Sequence, residues 1–216
     1  MQRRRRSRAL LVSAVVCMAA VWLVPRRAPA TIAEQRARLP PAAECADETV
    51  AGIWRSHTFT PQRREWYVFT LYVRRAPNDP SQLTGRITSH YWRGGAEDSE
   101  PPPCARESYQ MTVSFDARGS VSPSGTIEFG GYGSWRMDQS PCGRQAFGYN
   151  LDHFSGVIDP SILEFQSVNN DGGSAVNEPT VFRRIRCPPV QSAEAPSVNT
   201  VPPSFYPDRG GCGFGL

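Results

Sequence analysis

The sequence predicts an all-β domain in which antiparallel strands form a meander and close into a small up-and-down barrel, preceded by an apolar N-terminal helix. Three observations support this fold. Apolar and polar residues alternate between clusters of turn-forming residues. No sustained helical period occurs between Cys45 and Cys187. Glycine recurs two positions before a large apolar residue, as expected where strands coil toward closure, although chance in a glycine-rich chain also produces this pattern.

Residues 1–30 are interpreted as a targeting segment. They hold seven of the 24 arginines and no acid, and an uncharged apolar run covers 9–24. The length of this run fits either a signal peptide cleaved after Ala28-Pro29-Ala30 or a signal anchor that stays in the membrane. In both cases the chain after residue 30 is exported, to the periplasm or the outside, and only this segment is expected to meet the membrane.

The charge of the remaining chain argues against nucleic acid as a partner. Residues 31–216 carry 17 arginines against 20 acids, a net charge of −3. A surface that follows phosphates needs positive charge on the folded domain. The chain also contains no lysine, which excludes Schiff-base and pyridoxal chemistry, and no cofactor is predicted.

The rest of the chain divides into three parts. Residues 31–44 are predicted to form a spacer with one short helical turn, 45–187 the barrel domain, and the proline-rich 188–216 a disordered tail. Turns are predicted at 77–80, 116–119 and 169–173. The predicted strands are 50–58, 65–75, 83–92, 107–115, 123–129, 132–137, 145–151, 154–158, 162–168 and 179–187.

Two short motifs resemble those of the calycin group, which includes lipocalins and avidins. Gly52-Ile53-Trp54 lies on the first predicted strand, and an arginine-rich segment ends the domain. In calycins a Gly-x-Trp opens the first strand at the closed end of the barrel, and a late arginine packs across the tryptophan. The resemblance therefore implies that Trp54 is buried, with Arg184 or Arg186 as its cation–π partner.

Five cysteines follow the targeting segment, and export favours disulfides. In a meander that closes on itself, the first strand begins beside the end of the last strand. This closure predicts a disulfide between Cys45 and Cys187. Cys104 and Cys142 both follow prolines in predicted loops and pair by elimination, which leaves Cys212 in the tail. The spacing of the cysteines does not indicate a metal site.

Aromatic and arginine side chains near the open end of the barrel are the candidate ligand-binding residues. They would suit a small apolar or anionic molecule. No catalytic residue is predicted, because His57, His90 and His153 are scattered and the Gly-x-Ser-x-Gly and His-Glu-x-x-His motifs are absent. The candidates are Tyr72, Arg74, Tyr91, Trp92 and Arg93.

The leading functional hypothesis is an exported, non-enzymatic barrel that binds a small ligand or a protein of the cell envelope. Two alternatives remain open from the sequence, an exported hydrolase and an adhesion or scaffold domain with a solid core. A deep apolar cavity would favour ligand binding, whereas a cleft in which histidines and an acid converge would favour the hydrolase. A barrel without a cavity would favour the scaffold.

Overall fold

The structure, a computed structural model, describes residues 31–46, 49–105, 108–143, 148–173 and 175–188. The predicted targeting segment, Cys212 and all but the first residue of the predicted 188–216 tail lie outside the described residues. Within the described ranges, no helix has both the length and the apolar character that crossing a membrane requires.

The described ranges contain one helix and ten strands. Helix α1, Ile32–Arg38, begins with a capping box formed by Thr31 and Glu34. The strands are β1 Gly52–Arg55, β2 Thr58–Thr60, β3 Glu65–Ala76, β4 Asp79–Arg93, β5 Gln110–Val121, β6 Thr126–Gly131, β7 Arg136–Gln139, β8 His153–Asp159, β9 Glu164–Asn170 and β10 Val176–Arg186.

Eight of these strands close into an antiparallel barrel, which confirms the predicted fold class. Going around the barrel, the order is β1, β3, β4, β5, β6, β8, β9 and β10, and β10 pairs again with β1. Trp54 on β1 lies opposite Leu71 on β3 and opposite Arg184 on β10, so the first and last strands are neighbours. β2 continues the first strand along β3, and β7 pairs with the first part of β5.

Glycines allow the strands to coil tightly. A Cβ atom on Gly85 would lie 1.7 Å from the carbonyl oxygen of Tyr72, and one on Gly156 would lie 2.0 Å from the carbonyl oxygen of Gln166. A larger residue at either position would force the neighbouring strand away. Gly125 has a different role from the one predicted, because it lies in the turn before β6 with φ of +82°.

The turn predicted at 116–119 is wrong, because these residues lie inside β5. Asp116 pairs with Arg86 of β4, and the next residue, Ala117, is buried. The polar residues of this stretch occupy outward positions of an alternating strand. The turn at 169–173 does separate β9 from β10, and the chain reverses after Ala76 as predicted.

Two strand predictions also differ from the structure. The single strand predicted at 50–58 is interrupted at Ser56 and His57, which separates β1 from β2. The strand predicted at 145–151 is absent from its described part, 148–151. That part forms a loop whose Tyr149 ring turns inward and lies 5.8 Å from the ring of Phe115.

Helix α1 packs across a seam in the barrel. In the described part of the chain, β2 and β10 share no backbone ladder toward the open end. The side chain of Gln35 donates to the carbonyl oxygen of Pro179 and accepts from the amide of Val181, both at 2.9 Å. These are the two bonds that a neighbouring strand would supply. The predicted spacer therefore contains a helix that is anchored on the barrel.

The end of the barrel where β1 starts is packed solid. Trp54 is 2% exposed, and its indole nitrogen donates to the carbonyl oxygen of Val50 at 2.8 Å. The guanidinium carbon of Arg184 lies 5.6 Å from the tryptophan ring centroid, within the range of a cation–π contact. Arg186 is exposed and lies opposite Ile53. The internal void beside Trp54 is only about 10 Å³. A more open depression of about 490 Å³ lies on the surface at this end, beside Val50 and residues 121–125.

Both predicted disulfides are present. Cys45 and Cys187 are bonded with their Cα atoms 5.6 Å apart, across a sequence separation of 142 residues. Cys104 and Cys142 are bonded with a Cα separation of 5.3 Å. The first disulfide joins the chain just before β1 to the end of β10, so it reinforces the closure of the barrel.

Candidate functional site

The open end of the barrel holds a cavity of about 420 Å³, here called the mouth cavity. This volume lies within the range of about 300 to 1,000 Å³ found for small-molecule sites. Its wall comes from the β2–β3 hairpin, the end of β4, the 148–152 loop and the β9–β10 hairpin. The lining side chains that define it are Arg63, Glu65, Tyr67, Tyr91, Arg93, Tyr109, Tyr149, Asp152, Asp171 and Glu178.

Tyrosine rings form one side of the mouth cavity. The rings of Tyr67 and Tyr91, on the paired strands β3 and β4, stack with centroids 5.7 Å apart. Tyr149 extends this surface from the loop, with its centroid 6.5 Å from that of Tyr91. The hydroxyl groups of Tyr91 and Tyr109 are 2.9 Å apart. The rim therefore offers both aromatic ring faces and hydroxyl groups that can form hydrogen bonds.

Glu65 organises the charged part of the rim. Its carboxylate accepts a 2.6 Å hydrogen bond from the hydroxyl of Tyr67 and lies 3.2 Å from Nε of Arg93. Arg63 lies 4.0 Å away on the same carboxylate. Burial, followed by the bond to Glu65, raises the pKa of Tyr67 well above its ordinary value, so this tyrosine remains neutral. Both arginines of the lining thus face one carboxylate.

Asp152 is the most buried acid of the mouth cavity, with 4% of its surface exposed. Its carboxyl accepts hydrogen bonds from the hydroxyl of Tyr149 and, at 2.7 Å, from the side-chain amide of Asn169. Burial raises the pKa of Asp152 to about 7, and the charge of Asp171 acts in the same direction. A carboxyl group that ionises near neutral pH therefore lies in the wall of the cavity.

A polar group without a partner lies next to this cluster. Ser89 on β4 is fully buried and lies opposite Phe69 and Val113 of the flanking strands. The Ser89 hydroxyl lies near Tyr149 and lowers the pKa of that tyrosine. Burial has the larger effect and raises it. No described residue completes a hydrogen bond to Ser89 Oγ. Ser89 is not part of the lining of the mouth cavity, so its hydroxyl belongs to the packed interior behind Tyr149.

We expect the free energy of unfolding of Asp152→Asn to rise relative to that of the wild type as pH increases. The pKa of Asp152 is higher in the folded state than the ordinary aspartate value of 3.8. The protonated carboxyl of Asp152 therefore stabilises the folded state fully below about pH 4. This stabilisation declines as pH rises and is lost above about pH 7, and its total is on the order of a few kcal/mol. The measurement is the difference in urea unfolding free energy between the two proteins from about pH 4 to pH 8.

A difference that stays constant across this range would contradict the raised pKa of Asp152. Asp79 provides the control, because hydrogen bonds from Ser81 lower its pKa. For Asp79→Asn the sign reverses, so the loss of stability relative to the wild type should grow as pH rises to about 4 and should stay nearly constant from there to pH 8.

The structure places two of the five predicted ligand-binding residues in the mouth cavity, Tyr91 and Arg93. Trp92 faces the outside of the barrel, because neighbours on a strand point to opposite faces. Tyr72 and Arg74 are exposed on the outer side of β3, farther along the strand from the rim. A ligand at these three residues would bind outside the barrel, and that binding stays a prediction.

Sequence reasoning missed most of the cavity wall. Glu65, Tyr67 and Phe69 are spaced two residues apart and point into the barrel. This alternation is visible in the sequence and indicates that Glu65 and Tyr67 face inward like Phe69. Asp152 lies next to His153 in the sequence, but the two side chains point to opposite faces of the wall. Glu178 approaches from β10, far along the chain, and no local pattern marks it.

The three histidines do not converge. His57 and His90 belong to a cluster on the outside of β2–β4, with ring centroids 5.2 Å from Trp66 and 5.1 Å from Trp92 respectively. Burial lowers the pKa of both. His153 lies on the outer wall beside Gly130. The arrangement that would have favoured a histidine-based hydrolase is therefore not formed.

No group of three or more histidine, cysteine, aspartate or glutamate side chains in the described ranges is placed to hold a metal ion. The site that these residues do form is a polar, tyrosine-lined cavity above a solid core. Comparison of the chain with protein families, curated proteins and solved structures finds no match.

Proposed function

We propose that this protein is an exported, calycin-like barrel that binds a small ligand in the mouth cavity. The observation that carries this proposal is the contrast between the two ends of one barrel. The interior around Trp54 leaves a void of about 10 Å³, and the depression of about 490 Å³ at that end lies on the surface, whereas the mouth cavity of about 420 Å³ is lined by inward-facing side chains. A barrel built only as a solid scaffold would gain from filling both ends.

Export is supported by the targeting segment predicted at 1–30 and by the two disulfides. Disulfides persist in oxidising compartments and are rare in the cytosol. The calycin-like character is supported by the closed eight-stranded barrel and by the contact between Trp54 and Arg184. The alternative is that a protein of the cell envelope, and not a small ligand, binds at the rim of the mouth cavity.

A fragment screen by ligand-observed NMR tests the proposal. We expect weak binders that compete with one another and lose binding in Gly148→Trp. Gly148 lines the cavity, and a Cβ atom placed on it meets no other atom within 4 Å, so a large side chain can be introduced at the cavity wall without displacing the backbone. Val157→Trp on the exposed outer wall, where the native side chain is 49% exposed, is the matched control.

Binding that survives Gly148→Trp, or that is lost equally in Val157→Trp, would place the fragments elsewhere and contradict the proposal. A screen without any binder would favour the envelope partner or the scaffold.

A hydrolase remains the second candidate, and one observation favours it. The pKa of Asp152, raised to about 7, is suited to a general acid near neutral pH. Turnover of chromogenic esters or glycosides that disappears in Asp152→Asn would establish this activity. Binding without turnover supports the first proposal.

A further inference from the structure

We propose that the ligand of the mouth cavity is a small organic cation, an amine or ammonium group joined to an aromatic or apolar part. This inference rests on the proposed function and specifies its ligand class. It differs from the apolar or anionic molecule that the sequence predicts.

The first argument is the charge of the wall. Asp152, Asp171 and Glu178 line the cavity, and none of them has an ion-pair partner among the described residues. The two arginines of the lining lie on the fourth acid, Glu65. An anion would meet uncompensated negative charge here, whereas a cation would supply the missing counter-charge.

The acids are held in place before any ligand binds. Asp171 accepts backbone hydrogen bonds from Gly173 and Ala175 at 2.7 and 2.8 Å. Glu178 accepts a 2.9 Å bond from the hydroxyl of Thr60 across the seam. Because these donors are neutral, they orient the carboxylates without cancelling their charge.

The second argument is the aromatic wall. Tyr67, Tyr91 and Tyr149 present neighbouring rings, and burial raises the pKa of all three, so the rings stay neutral. A cation within about 6 Å of such a ring is attracted by the negative face of its π-system. The rings also offer apolar contact to the uncharged part of the ligand. Acidic side chains and aromatic faces thus occur together around one cavity.

A series of three probes with the same shape and different charge tests the inference on the full-length chain by isothermal titration calorimetry. The probes are 2-phenylethylammonium, 2-phenylethanol and 3-phenylpropanoate. At about pH 8, where Asp152 is mostly ionised, we expect the cation to bind about ten-fold or more tightly than the alcohol, and the anion to bind most weakly.

Glu178→Gln and Asp152→Asn should each weaken binding of 2-phenylethylammonium about five-fold or more while leaving 2-phenylethanol unchanged. Asp116→Asn removes an exposed carboxylate from the outer wall and is the matched control, with no expected effect. Glu178→Gln retains an oxygen that accepts from Thr60, so a loss of cation binding in this variant reports charge and not misfolding.

Equal affinity for the cation and the alcohol, stronger binding of the anion, or no binding of the three probes would each overturn the cation inference. The proposed function is judged separately. Fragments that bind the wild type and are excluded by Gly148→Trp would uphold it even if the ligand proves to be neutral or anionic.

Discussion

Replacing Cys45 with Ala lowers the free energy of unfolding by up to about 4 to 5 kcal/mol, according to the chain-entropy treatment of a loop this long. The bond to Cys187 spans 142 residues and therefore restricts most of the unfolded chain. This loss is comparable with the whole stability of many domains. Thermal unfolding followed by circular dichroism measures the loss, and a thiol reagent should then titrate Cys187.

Cys212→Ser is the control for this experiment, because the sequence leaves Cys212 without a partner in the domain. It should change neither the melting temperature nor the reactivity of Cys187. If Cys45→Ala melts at the wild-type temperature, the hydrogen-bonded pairing of β1 with β10 is sufficient to hold the barrel closed.

Replacing Trp54 with Ala is expected to destabilise the protein by about 3 to 5 kcal/mol. The indole is almost fully buried at the solid end of the barrel and donates to Val50. Its loss leaves a cavity between strands that cannot collapse, because β1 is paired on both sides. The buried guanidinium of Arg184 also loses its aromatic partner. Urea unfolding at constant pH measures the effect.

Tyr72→Ala on the adjoining strand is the matched control. Tyr72 is 42% exposed on the outer side of β3, and its removal should cost about 0.5 kcal/mol or less. Comparable losses in the two variants would show that the inner and outer faces of the barrel wall have been assigned incorrectly.

The sequence predicts the barrel and its closure well. The strands follow from local patterns, and the pairing of the first strand with the last follows from closing the meander. Alternation of apolar residues identifies strands such as β3, and glycines such as Gly85 mark where they coil. Once a meander closes, the positions of Cys45 and Cys187 follow from the topology. The contact between Trp54 and Arg184 came from the resemblance to calycins.

The mouth cavity was harder to predict, since its wall is assembled from segments that are distant along the chain. Glu65, Asp152 and Glu178 come from three different parts of the sequence and meet only in the closed barrel. The prediction also placed Tyr72 and Trp92 at the rim without deciding which face of the strand each side chain occupies. Strand alternation settles that question only when the inward register is known.

The disulfide between Cys45 and Cys187 also has a mechanical consequence. The chain enters the barrel at residue 45 and leaves it at residue 187, and the covalent bond joins these two points. A pulling force applied between the N-terminal segment and the C-terminal tail therefore passes directly through the bond. The contacts of helix α1 with β10 therefore separate first, because they precede Cys45 along the chain. Once they have separated, every strand of the barrel lies outside the load path, and the bond between Cys45 and Cys187 carries the tension.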